Sequence, residues 1–211
     1  MIIRNEQARD YKQVEEMTRR AFYNLYVPGC VEHYLVSVMR GHPDFIPELD
    51  FVAEIDGRIV GNIMYTKARL VNGRGAQKPI LTFGPISVEP AFQRRGIGKA
   101  LIERSFERAL ALGYDVVVIF GDPKNYVSRG FKSCARYGVR LENGRYPSAM
   151  LVRELVPGAL EGESWVYYDS PVMNVSEQDA RRYDDGLEKM EKRRQPSQEE
   201  FYIMSHSSVE P

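Results

Sequence analysis

Net charge is the first thing this chain lacks: 29 Lys and Arg offset 29 Asp and Glu over 211 residues. General affinity for nucleic acid or an anionic membrane needs a net basic surface, so neither partner is expected. Cysteine is nearly absent as well. Cys30 and Cys134 are too few for a disulfide framework or a thiolate metal site, and no metal is expected. No apolar run approaches the ~18 residues of a membrane span. The opening MIIRNEQARD carries Arg4 and has no apolar signal core. These absences point to a cytoplasmic globular protein. What is present, 43% hydrophobic and 27% charged residues, is enough for one medium domain or a small domain with an appendage.

No internal repeat or low-complexity tract interrupts the chain. A short strand over residues 2–5 precedes a helix over 8–24, in which Tyr11, Val14, Met17, Ala21 and Leu25 recur at helical spacing. Pro28-Gly29 breaks it, and a second helix over 31–40 ends at Gly41 and Pro43. Residues 51–55 and 58–65 flank Asp56-Gly57, a two-residue hairpin signal. A strand over 79–88, a helix over 98–112 and a strand over 116–120 follow. Strand, helix, strand predicts a βαβ unit with its two strands parallel. The continuous apolar run of Val116–Phe120 suits a central strand buried on both faces. Two further strands are expected over 134–141 and 149–154.

Chemistry concentrates between Ser87 and Leu101, where a buried strand, a Gly-rich turn and a helix start meet. Two phosphate motifs fail there. Gln93 stands where a Walker loop needs glycine, Ala100 where it needs Ser or Thr, and Leu101 where a dinucleotide fingerprint needs its third glycine. What remains is Gln93-x-x-Gly96-x-Gly98. A helix start leaves backbone N–H groups unpaired, and capping or acidic residues normally offset them. This one has neither, and Arg94, Arg95 and Lys99 crowd its positive end. A bound anion would reverse the sign of that effect, and Gly96 and Gly98 would let it come close to the backbone. A tight turn with solvated arginines is the plainer alternative. The strand before the turn is also interrupted: Gly84-Pro85 favours a bulge, which would splay this strand from its parallel neighbour and open a slot.

On these residues the sequence resembles the GNAT superfamily of acetyl-CoA-dependent N-acetyltransferases. The resemblance covers the order of elements from Ile2 to about Leu155. It centres on Gln93–Gly98, with support from Gly121-Asp122-Pro123-Lys124-Asn125-Tyr126 and Gly130-Phe131. It implies an α/β (α+β) fold: a mixed, mostly antiparallel twisted sheet of six to seven strands, helices on both faces, and central parallel strands splayed. It implies acetyl-CoA as cosubstrate and an amine, small molecule or peptide, as acceptor. Ile86, Ser87 and Val88 would lie along the pantetheine arm. The amides of Arg94, Arg95, Gly96, Ile97, Gly98 and Lys99 would bind the pyrophosphate, with Gln93, Ala100 and Asn125 also at the coenzyme. The Val88 N–H would be the oxyanion donor. Tyr126, four residues before Gly130, would be the general acid for the departing thiolate. Asn125 departs from the aromatic residue often found before that tyrosine. A non-catalytic acyl-CoA-binding or sensing module is the alternative, with Tyr126 structural.

Some members of that superfamily use a carboxylate in the strand before the turn. Leu81–Val88 has none, so deprotonation through water or a residue elsewhere is expected, and the base is left unassigned, with Glu89, Glu54, Glu32, His33 and His42 as candidates. The acceptor is expected beside the first two helices. Residues 22–50 carry Glu32, Asp44, Glu48 and Asp50 against Arg40 alone, together with Phe22, Tyr23, Tyr26, Tyr34 and Phe45. That mixture suits a cationic amine with an apolar body, and equally a solvated helix face. The composition changes past Pro157-Gly158, which divides the chain into residues 1–157, an acetyltransferase domain by the resemblance, and an extension, residues 158–211. A charged helix is expected over 176–194, with Ser176 and Asp179 as caps and Ala180, Tyr183, Leu187 and Met190 as its docking stripe. As no motif residue lies beyond Ser176, that segment is expected to be dispensable for chemistry. The chain is expected to be a monomer or a homodimer.

Overall fold

The computed structural model describes residues 1–210. Fifteen elements follow one another: β1 (Ile2–Asn5), α1 (Tyr11–Phe22), α2 (Glu32–Met39), β2 (Phe51–Ile55), β3 (Arg58–Asn72), β4 (Gln77–Val88), α3 (Ile97–Ala111), β5 (Val116–Phe120), α4 (Pro123–Tyr126), β6 (Lys132–Ser133), β7 (Val139–Arg140), β8 (Met150–Glu154), β9 (Trp165–Tyr168), α5 (Glu177–Asp185) and α6 (Pro196–His206). The strands form one sheet in the order β1-β2-β3-β4-β5-β8-β6. β9 pairs with the far end of β3, and β7 pairs with β9. All pairings are antiparallel except β4–β5 and β7–β9.

Strand alternation separates the two faces. Ile63, Tyr65, Val117 and Ile119 point to one side, where Ile97, Leu101, Ile102 and Ala109 of α3 cover them. The Tyr65 hydroxyl and Ser105 Oγ of α3 share a buried hydrogen bond of 2.6 Å. Met64, Val52 and Ile59 face the other way, against Val14, Met17, Val36 and Met39 of α1 and α2. β5 is buried on both faces, since Val116 and Val118 join a second core with Met150, Val152 and Trp165. Asp56 and Gly57 both lie at positive φ, 51° and 76°, the geometry of a two-residue turn matched to strand twist.

Three expectations need correcting. The strand foreseen over 134–141 is a 3₁₀ turn (Cys134–Tyr137) followed by the two-residue β7. Gly138, at φ 61°, breaks the run between them. The sheet has nine strands rather than six or seven, because β6 and β7 are two residues each and β9 was not foreseen. The helix expected over 176–194 closes at Asp185. Ala180 and Tyr183 of its stripe do dock: Ala180 is buried, and the Tyr183 ring lies between His33 and Tyr34. Leu187 is exposed, while Met190 follows an extended course tied to α1. Tertiary hydrogen bonds account for the early stop. Arg19 donates to the Glu188 carbonyl (2.8 Å), Tyr23 to Met190 (3.0 Å) and the Asn24 side chain to Glu191 (2.9 Å). These carbonyls point outward to α1 instead of along a helix.

A buried acid pair generates a prediction about pH. The Glu6 side chain is fully buried, and both its oxygens accept from Arg40, at 2.8 and 2.9 Å. Asp50, itself buried, accepts from Asn62 at 2.9 Å and shares a hydrogen bond with Glu6. Burial, and then the Glu6 carboxylate, push the Asp50 carboxyl well above the usual range. The folded protein therefore keeps a proton that the unfolded chain releases near pH ~4. Stability from this group is full below that pH and declines as pH rises toward the folded-state value. Asp50→Asn removes the titration, so its advantage in Tm over the parent should grow between about pH 5 and about pH 8. A Tm difference that stays flat across that window would show that Asp50 does not hold the proton.

Candidate active site

β4 and β5 share a single paired register, Leu81 beside Val117, and diverge beyond it. The cause lies on the other edge of β4. Ile63 faces Ile86 and Tyr65 faces Phe83, so Met64 alone opposes Gly84 and Pro85. That is the bulge the sequence signalled, and the Gly84–Pro85 peptide within it is cis. Past the bulge, β4 stays with β3 and leaves β5. The Glu89 N–H bonds the Val60 carbonyl at 3.0 Å, which makes Val60–Glu89 a hydrogen-bonded pair. Antiparallel ladders alternate, so Gly61–Val88 and Ile63–Ile86 are the non-hydrogen-bonded kind. The amide groups of Ile86 and Val88 consequently point away from β3, into the gap.

That gap is the inner end of a cavity of about 820 Å³. Its walls include Ile86, Ser87, Val88, Gln93, Arg94, Gly96, Ile97, Gly98, Lys99, Asn125 and Tyr126. Of the residues expected there, Arg95 and Ala100 are absent from the lining; the Arg95 guanidinium lies over the Phe92 ring at 5.1 Å. Ser87 reaches the lining through its backbone segment, since its hydroxyl is buried against Thr18 at 2.9 Å. The start of α3 has no side-chain cap and no acidic residue in its first turn, with Gly96 in the left-handed region at φ 83°. Arg94 shares that region at φ 62°, a conformation uncommon outside glycine. The Gln93 amide donates to the Val88 carbonyl at 3.1 Å and ties the turn to the strand end.

Tyr126 is placed by close packing. Asp122 caps α4 by accepting from the Lys124 N–H at 2.9 Å. The Tyr126 ring then lies so near Gly121 that a Cβ there would stand 2.5 Å from Cε2. Phe83 and Phe131 hold two further sides, at centroid distances of 5.8 and 5.7 Å. Burial pushes the phenol well above its ordinary value, so it keeps its proton at neutral pH. A half-buried phenol held by rings and lining the cavity can donate a proton there.

The order of elements, the splayed strands and the uncapped turn meet a direct comparison. A family model described as Acetyltransferase (GNAT) family matches residues 12–133. The chain belongs to the GNAT acetyltransferase family, and it is of the acyltransferase class. Among curated relatives, the N-acetyltransferase YjhQ of Escherichia coli strain K12, named as uncharacterised, is 30% identical over 126 residues, covering 60% of this chain and 66% of that one. YhbS of the same strain, also named as an uncharacterised N-acetyltransferase, is 27% identical over 163 residues, 77% of this chain and 92% of that one. In three dimensions this GNAT chain is similar to crystalline E. coli YhbS in complex with CoA. The TM-score is 0.70 at 24% identity, with 82% of this chain and 92% of that one covered. It is also similar to a GNAT acetyltransferase from Brucella melitensis in complex with acetyl-CoA, with a TM-score of 0.63 at 24% identity over 82% and 97% of the chains.

Other lining residues went unforeseen. Met173, Val175, Phe201, Met204 and Ser205 reach the cavity from beyond the matched family region. The segment expected to stand apart from the chemistry thus forms part of the wall. Pro196 at the start of α6 was a readable helix signal, but nothing local foretold where that helix docks. Among the described residues no group of His, Cys, Asp and Glu could hold a metal ion, and no helix is long and apolar enough to cross a membrane.

The two turn glycines should respond differently to alanine. A Cβ at Gly98 meets Ile86 and Val88 only at 3.8 Å, ordinary contact, so Gly98→Ala should fold with unchanged or slightly higher stability. Gly96→Ala forces a side chain into the left-handed region and should cost about 1–2 kcal/mol. Urea melts of both variants check this, and equal losses would contradict it.

Proposed function

We propose that the protein transfers an acetyl group from acetyl-CoA to a primary amine by direct attack. The observation that carries this reading is the convergence, in one cavity, of the uncapped basic turn, the free amides of Ile86 and Val88, and Tyr126. The crystalline neighbours from E. coli and B. melitensis, bound to CoA and acetyl-CoA, add support. In this reading the backbone of residues 94–99, with the Arg94 and Lys99 side chains, binds the pyrophosphate. The pantetheine arm pairs with β4 in the gap β5 leaves open, as an added strand would. Arg95 and Ala100 contribute through their backbone, and Asn125 flanks the arm. The Val88 N–H faces the acetyl oxygen and stabilises the charge that develops on it.

The chemistry balances as follows. The acceptor arrives as an ammonium and loses one proton to a base. Its nitrogen attacks the carbonyl, the C–N bond forms, and the C–S bond breaks. The departing sulfur takes the Tyr126 proton, and the second proton shed by nitrogen restores the phenol. An acyl-CoA sensor would use the same turn, but it would have no need of a proton donor aimed into the cavity.

Acetyl-CoA at millimolar concentration should raise the melting temperature by mass action. Gly98→Glu, which sets a carboxylate where the anion would lie, should abolish that shift in a folded protein. Tyr126→Phe tests the chemistry. It should leave the thermal shift intact while kcat and kcat/KM fall together by about 10²–10⁴-fold, the range for a positioned acid. A well-folded Phe variant with near-parental kcat would make the tyrosine structural and water, or another donor, the acid. Binding of acetyl-CoA with no release of free thiol in the presence of amines would instead favour the sensor reading.

A further inference from the structure

The same cavity is lined by a carboxylate that no cation of the fold neutralises. Glu32, first residue of α2, is the only acidic residue among those that line the cavity, and no histidine lines it. The other groups weighed as bases are engaged elsewhere. Glu89 pairs with Arg20 at 2.8 Å and Glu54 with Arg4 at 2.9 Å. His33 is fully buried between Cys30 Sγ (3.2 Å) and Asp184 Oδ1 (3.3 Å), and His42 stands beside Asp44 at 3.7 Å. Glu32 makes no ion pair among the described residues; its carboxylate accepts only from backbone at the start of α2, from the Val31 N–H at 3.0 Å and from its own N–H. Burial pushes its carboxyl above the ordinary value. A half-buried carboxylate without a cation is costly, and an arriving ammonium relieves that cost.

The surroundings of Glu32 say more about the ligand. Helix α6 bridges two loops. At one end Ser197 and Gln198 donate to the carbonyls of Leu25 and Asn24, at 2.8 and 3.0 Å, and Phe201 stacks on Tyr26 with centroids 4.4 Å apart. At the other end the Ser148 N–H bonds the Ser207 carbonyl, and Arg145 reaches the His206 carbonyl at 2.9 Å. The helix so held turns Phe201 and Met204 toward the cavity, opposite Phe22 and Leu25 of the α1 side. The remaining charges of the lining are all cationic: Arg94, Lys99 and Arg129. With the pyrophosphate bound, Arg94 and Lys99 are offset, and what is left for an acceptor is one carboxylate, Glu32, with Arg129 to repel any further positive charge.

We infer that α6 roofs an acceptor pocket in which Glu32 receives the ammonium of a monocationic primary amine, and that Phe201 and Met204 pack against its apolar body. The inference rests on the acetyl-transfer reading for its chemistry: Glu32 takes the first proton from the bound ammonium and passes it to solvent. Recognition of the amine stands separately and can be measured without turnover.

The experiment titrates 2-phenylethylamine, n-hexylamine and spermidine calorimetrically into full-length protein saturated with CoA, then repeats each amine in a turnover assay with acetyl-CoA. The two monocations should bind, and spermidine should bind more weakly. Glu32→Gln should weaken monocation binding about 10–100-fold, the loss of a charge-assisted hydrogen bond, with the CoA-induced thermal shift unchanged. Glu32→Asp should recover part of it. Phe201→Ala should raise Kd and KM for both monocations with less effect on kcat. Equal binding to parent and Glu32→Gln overturns the inference, as does preference for spermidine or no binding of either monocation. Glu32-dependent binding without acetylated product would uphold the pocket and overturn acetyl transfer. Should Glu32→Gln fail to fold, parental affinity in Glu32→Asp and Phe201→Ala together overturns the pocket.

Discussion

The parting of β4 from β5 is the constraint on which the site depends. Parallel strands normally continue their ladder, and each further residue would bury two more backbone groups. Here the ladder stops after Leu81 and Val117, because Gly84 and Pro85 put two residues opposite Met64 and carry β4 along with β3. Backbone groups released from one sheet partner must find another partner or remain open to solvent. At Ile86 and Val88 they open onto the cavity. The turn that follows repeats the device, with a helix start that lacks a cap. Ladder groups and helix groups left without internal partners therefore meet around one space.

Ion pairs remote from the cavity help to build it. Asp184 and Arg19 are both buried and meet at 2.7 Å. Removing either would leave a buried charge without its main partner. Arg40 gathers Glu6 and Glu15, and Tyr183 donates to Glu15 at 2.8 Å. These contacts fasten α5 and the extended chain after it to α1 and α2, and through them α6 is carried to the cavity. The remote ion pairs are thus part of the site's construction, since α6 has no buried residue of its own to anchor it.

Much of this was legible locally. Asp56-Gly57 specifies its hairpin because both residues tolerate positive φ. Val116–Phe120 reads as central because apolar residues occupy both parities of the strand. Gly84-Pro85 signals a bulge because proline withholds a donor, and the start of α3 is basic and uncapped as its letters read. Each signal lies within a few residues of its effect. β7 and β9 were hidden for the opposite reason: they are short, and their register, Val139 beside Trp165, joins segments with no local bias toward each other.

The sequence by itself determined the βαβ unit, the bulge and the uncapped turn, because propensity, glycine placement and periodicity act through neighbouring residues, while the sheet as a whole and the place of Tyr126 were read from the family resemblance. Only the tertiary structure decided which acid faces the cavity. Glu89, Glu54 and Glu32 are alike as letters, and their roles differ because Arg20 and Arg4 fold onto the first two and no cation folds onto the third. The same holds for the last helix. Its start is written in Pro196, but its destination depends on Tyr26, Leu25 and Arg145, more than fifty residues away along the chain, and on contacts that exist only once the domain has closed.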